Sequence, residues 1–169
     1  LCDSEYNARR SECEKALIGL KTKLDINSLG ELSEEEFEDN KNLISDEVCV
    51  KRARHAVYEN QRTIRAVKAL RDNDMVLFGK LMRESHISLR DDYEVSCEEL
   101  DILMEETDAC EGVYGVRMTG GGFGGCCVSI IDSSCVQTVI DKVGRAYADR
   151  VGYDADFYIV AAGDGVCKL

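Results

Sequence analysis

The 169-residue sequence contains no proline, so no pyrrolidine ring breaks a helix and helices can run long. Cations are few: 21 Lys and Arg stand against 33 Asp and Glu, a net charge of −12. That balance excludes sequence-independent binding to nucleic-acid backbones or anionic membranes, which demands clustered positive charge. No long hydrophobic run is present. The longest, Phe157 to Ala162, falls far short of the roughly 18 residues of a spanning helix. No C-x-x-C pair occurs among the nine cysteines, and their odd number argues against a disulfide framework or a common zinc site. They read as mostly buried thiols in a reducing compartment, consistent with a cytoplasmic protein.

What is there describes one globular domain. Hydrophobic residues make up 44% and charged residues 32%, too apolar for disorder, and the length suits a single core. Five segments carry helical spacing. Their stripes are Cys13, Ala16, Leu17, Leu20 and Leu24; Val50, Ala53, Val57, Ile64 and Val67, on a segment ending near Arg71; Leu77, Phe78, Leu81, Met82 and Leu89; Leu100, Leu103, Met104 and Thr107; and Val136, Val139, Ile140, Val143 and Tyr147. Each stripe is expected to face the core. Between the first two lies a polar connection, residues 27–46, with one short helix opened by Ser33 as N-cap and Glu36 as its reciprocal partner. Asp72-Asn73-Asp74 reads as a turn, because Leu77 stands where a calcium loop of this type needs glycine. Strand patterns occupy the last third: Val113 to Met118, Cys126 to Ile131, and Phe157 to Val160. The expected class is α+β, a small antiparallel sheet covered by several helices, with no internal repeat and no second-domain linker.

Five of the 14 glycines fall within six residues, Gly120, Gly121, Gly122, Gly124 and Gly125, around Phe123. The run formally matches G-x-G-x-x-G. That fingerprint requires a helix directly afterwards, and here strand chemistry follows. No Gly-Lys-Ser/Thr closes it as a Walker loop. A hairpin bend explains two glycines but not five, each of which costs backbone entropy. Missing Cβ atoms let amide groups converge on an anion or let another backbone come close, so the loop is expected beside a phosphate site.

Val113-Tyr114-Gly115-Val116-Arg117-Met118-Thr119 with Gly120 to Gly125 resembles the third signature motif of the galactokinases, a branch of the GHMP sugar and metabolite kinase family. Ser4-Glu5-Tyr6-Asn7-x-Arg9-Arg10, the block from Glu84-Ser85-His86 to Ser96, and the Phe157-Tyr158 and Gly163-Asp164-Gly165 tail agree with it in the same order. The resemblance covers essentially all 169 residues and implies a ferredoxin-like GHMP kinase C-terminal domain, residues 1–169. The family's sugar signature, central phosphate-cradling loop, catalytic Asp and Arg lie upstream of these blocks, and the Leu1 start agrees with an absent N-terminal half. The implied activity is phosphorylation of galactose at C1 with ATP and Mg²⁺, both bound mainly by that other half. An N-acetylgalactosamine kinase, another GHMP sugar kinase or a non-catalytic sugar sensor are the alternatives.

The resemblance implies that Tyr6 contacts the sugar through its hydroxyl; on residue type alone it is a helix-entry tyrosine packed on the core. It further implies that Thr119, Gly120, Gly121, Gly122, Gly124 and Gly125 support the phosphate loop of the other half. Thr119 reads equally as a strand-end hydroxyl satisfying its own backbone. No catalytic residue and no metal ligand is assigned. His86 is expected in a helix-end polar network, His55 on the surface or in packing, Arg90 in an ion pair with Asp91 or Asp92, and Arg117 facing solvent or reaching a phosphate.

Overall fold

The computed structural model describes residues 2–161 and 163. In chain order they form helices α1 (Cys2–Leu20), a short α2 (Glu34–Asn40), α3 (Glu47–Arg71), α4 (Met75–Asp91) and α5 (Glu98–Asp108), strands β1 (Val113–Thr119) and β2 (Cys126–Ile131), and helix α6 (Val136–Val151). Caps set the helix ends. Ser33 and Glu36 close the expected reciprocal box at the start of α2, and the Asp46 carboxylate accepts from Val48 N–H at the start of α3. Without proline, α3 runs 25 residues. It stops at Asn73, whose φ of 56° is left-handed, and Asp74 restarts the chain as N-cap of α4 by accepting from Leu77 N–H.

The largest core lies among α1, α2 and α3. Phe37, Ala16, Leu20, Ala53 and Val57 have no exposure there, and Ile26, Leu29, Leu32, Ile44, Cys49 and Val50 close around them. A buried side chain of this size contributes about 1.5–3 kcal/mol. The α3 stripe does not stay inside along its whole length: Ile64 and Val67 are 58% and 44% exposed, while Arg62 and Ala69 on the same stretch are buried, so the covered face there is a different one.

β1 and β2 pair antiparallel from Thr119↔Cys126 to Val113↔Ile131, with an irregularity between Val113 and Gly115. Helix α4 reaches β1 through two glycines. A Cβ on Gly79 would overlap the Tyr114 carbonyl, and one on Gly115 would overlap Gly79. Side chains from α5 and α6 close the sheet's other face around Met118 and Val143. The α+β class with a small helix-covered sheet is therefore observed.

The third expected strand is not. Phe157 to Val160 joins no ladder with β1 or β2, and Tyr158, Ile159 and Val160 are 80%, 74% and 81% exposed. A strand exists only when a neighbour supplies N–H and C=O groups; among the described residues this apolar run has none, and only the Phe157 ring settles, near Gly144 of α6. The Gly163-Asp164-Gly165 tail lies largely outside the described residues. The thiols also sit more openly than expected. Of the seven cysteines whose side chains are described, all free, Cys49 and Cys110 are buried, Cys126 is exposed and the other four are partly covered. Among the described residues no helix is long and apolar enough to cross a membrane.

Candidate functional site

Two sequence blocks far apart in the chain meet at one strut, the link Tyr93–Val95 between α4 and α5. From α1, Arg9 donates through Nε to the Tyr93 carbonyl at 2.7 Å and through Nη2 to that of Glu94 at 3.0 Å. Its guanidinium lies over the Phe123 ring, 5.8 Å from the centroid, within cation–π range. From the glycine loop, Phe123 N–H donates to the Val95 carbonyl at 2.7 Å. Arg9 and the loop thus meet both the strut and each other.

The strut is itself held from α3. Arg52, 2% exposed, donates Nη1 to the Asp92 carbonyl at 2.6 Å, Nη2 to the Glu94 carboxylate at 2.8 Å and Nε to Glu12 at 2.8 Å. A buried guanidinium needs this full satisfaction. Arg52 holds the Glu94 carboxyl below the usual carboxylate range and fixes Glu94 in a left-handed conformation, φ 53°. Tyr93 stacks on His55 at 4.5 Å, and burial pushes its phenol up to about 12. His55 is buried rather than on the surface. Its Nδ1 meets Ser88 Oγ at 3.0 Å, and burial holds it down to about 4, neutral.

Tyr6 is 62% exposed, which removes the core-packing reading for this residue. It rims a cleft of about 310 Å³ with Arg10, Cys13, Leu17, Leu29 and Tyr93. In the loop, Gly120, Gly122, Gly124 and Gly125 all have positive φ, and the chain continues into β2, as the rejection of a dinucleotide fingerprint required. Gly122 needs its missing Cβ most, since one there would lie 2.7 Å from Val95 Cβ and overlap the Val95 carbonyl. Close backbone approach, one of the two uses foreseen for the glycines, is what the loop's inner side displays. Gly120, Gly121 and Gly124 have no atom within 4 Å of a would-be Cβ, leaving the outer side open. Thr119 is exposed at the end of β1 and lines a second cavity of about 360 Å³ with Glu59, Arg62, Ser85 and Arg117.

Arg117 does not simply face solvent: it pairs with Glu59 at 3.3 Å. Arg90 and Asp91 form the expected ion pair at 2.7 Å. His86 is not at a helix end. It lies within α4 with no exposure, between Asp101 and the N–H of Met118. Sequence reasoning gave no role to Arg9, Phe123, Glu94 or Asp101; the lone aromatic inside five glycines was the one available signal. Among the described residues no group of three or more His, Cys, Asp or Glu side chains converges on a metal position.

Residues 66–149 match the family model described as GHMP kinases C terminal. The chain belongs to the GHMP kinase family. Over all 169 residues this GHMP kinase domain is 56% identical to the galactokinase of Clostridium beijerinckii and 56% identical to that of Lactiplantibacillus plantarum, covering 43% and 44% of their lengths. A crystal structure of Lactococcus lactis galactokinase complexed with galactose superposes with a TM-score of 0.93 at 50% identity, over 98% of this chain and 43% of that one. The GHMP domain thus spans under half the length of the relatives it matches.

Proposed function

We propose that this chain is the C-terminal domain of a galactokinase, which transfers the γ-phosphoryl of ATP, as its Mg²⁺ complex, to the C1 hydroxyl of α-D-galactose. The observation that carries the reading is whole-chain identity of 56% to galactokinases, supported by a link that lines the Tyr6 cleft through Tyr93 and receives the glycine loop at Val95. Phosphoryl transfer depends mainly on in-line positioning and charge neutralisation. In this division Tyr6 offers its exposed hydroxyl to the sugar. Thr119, Gly120, Gly121, Gly122, Gly124 and Gly125 form a buttress against the phosphate-binding loop of the N-terminal half, which would hold ATP and Mg²⁺.

The partner is accordingly the N-terminal half of the same enzyme, in the cytoplasm. Its docking is supported by apolar surface that a self-sufficient domain would cover: Ile159 and Val160 after α6, and Ile64, Val67 and Val76 on α3 and α4. An N-acetylgalactosamine specificity or a sensor role has no observation of its own here. A coupled ADP-release assay on the intact protein tests the proposal. Galactose-dependent turnover, with none from residues 1–169 alone, is expected; preference for N-acetylgalactosamine, or galactose binding without ADP release, would replace it.

A further inference from the structure

We infer that His86 is a positioning residue of the glycine loop, a side chain that with Asp101 links both points at which the loop is pinned. The first pin is the loop's entry. Met118, two residues before Gly120, donates its backbone N–H to His86 Nδ1 at 3.1 Å. The second is the loop's middle, where Phe123 N–H donates to the Val95 carbonyl at 2.7 Å. Ser96, the next residue, donates its hydroxyl to Asp101 Oδ1 at 2.6 Å, and the same oxygen meets His86 Nε2 at 3.0 Å. The path from Met118 through the loop to Phe123, Val95, Ser96, Asp101 and His86 closes on itself. A run of glycines has much conformational freedom to lose, and this closed path removes part of it at the loop's entry and middle.

The ring's protonation follows from geometry. Nδ1 accepts a backbone N–H, so it carries a lone pair; Nε2 therefore carries the proton and donates to Asp101. A second proton would set two donors against each other at Met118. The charged groups around the ring are Asp101 from α5, Arg90 from its own helix and Arg117 from β1, and with no solvent exposure the neutral form is the one that fits. His86 touches no substrate in this scheme. It acts through Met118 and Val95 on the loop that the proposed function places beside the transferred phosphate, and to that extent rests on that reading.

The experiment replaces His86 in the intact protein by Ala, Asn and Gln. An Asn carbonyl stands where Nδ1 stands and can take the Met118 N–H; a Gln amide stands where Nε2 stands and can reach only Asp101. Misplacement of a loop beside the reacting group by about 1 Å can cost up to ~100-fold in rate. His86→Ala and His86→Gln should lower kcat about tenfold and raise the KM for ATP while leaving the galactose KM within about twofold, and His86→Asn should recover most of the loss. Amide hydrogen exchange over residues 119–125 should quicken in the Ala and Gln variants and return toward wild type in Asn. ¹⁵N NMR of the wild-type ring should show Nε2 protonated and Nδ1 bare at neutral pH. Asn and Gln variants that behave alike, unchanged exchange in the loop, or a proton on Nδ1 would each overturn the assignment. If the intact protein phosphorylates no galactose, the functional reading fails, and the exchange and NMR measurements, which need no substrate, still decide this one.

Discussion

The helical side of the molecule, α1 to α3, and its sheet side are built on different terms. Around Phe37, eleven buried side chains form one continuous core, whereas beside the sheet the clusters around Met118 and Val143 hold three buried residues each. The helical side is closed by apolar packing. The sheet side is closed by single polar contacts, with Arg9, Arg52 and His86 tying backbone carbonyls and amides into place. Packing of the first kind supports stability broadly, while a pinned backbone of the second kind fixes the shape of one loop. Substitutions on the two sides should therefore fail in different ways.

The strongest separation is expected from Gly122→Val. Its side chain would overlap the Val95 carbonyl at a φ of 84°, where β-branched residues are strained. Turnover by the intact enzyme should fall about 100-fold while far-ultraviolet circular dichroism stays that of wild type. Near-normal activity with unchanged ATP affinity would make the loop a plain connector. On the helical side Phe37→Ala should cost about 3–5 kcal/mol in denaturant unfolding and leave both KM values alone at temperatures where the protein remains folded; a changed KM would show that the two sides are not separable.

Smaller effects sharpen the contrast. Tyr6→Phe should raise the galactose KM by about three- to tenfold, the worth of one hydrogen bond, with no shift in Tm because the ring is exposed. An unchanged KM removes Tyr6 from the sugar pocket. The smallest effect is a pH slope. Burial holds His55 down to about 4, so between about pH 6.5 and 4 the unfolded chain takes up a proton that the folded one refuses. Stability is then full above about 6.5 and falls as pH drops, by up to about 1.4 kcal/mol per pH unit; His86, shifted the same way by burial, adds to it. Denaturant titrations from pH 7 to 4.5 should show a flatter profile in His55→Gln than in wild type. A wild-type profile rising as pH falls would contradict the assignment.

The two sides were also unequally legible in the sequence. Val139, Val143 and Tyr147 announce α6 because its stripe repeats at helical spacing and is buried as read, and Ser33 with Glu36 marks α2 by a purely local pairing. Long-range polar contacts leave no such trace. Nothing in the order of residues says that Arg9 will meet Glu94, 85 positions away, or that Gly79 will lie on Gly115. The run Phe157 to Val160 misleads for a physical reason: strand composition records a preference for being paired, and pairing needs a partner edge. The polar residues near His86 predict the network it joins, but its place inside α4 depends on where that helix ends at Asp91.

In the proposed function α1 serves the sugar while the glycine loop serves the nucleotide. Amide hydrogen exchange on the intact protein, with galactose and an ATP analogue added separately, tests it most directly. Galactose is expected to slow exchange around Tyr6 at the start of α1, and the nucleotide to slow it across residues 119–125. Protection of neither segment, or protection of both by either ligand alone, would contradict it.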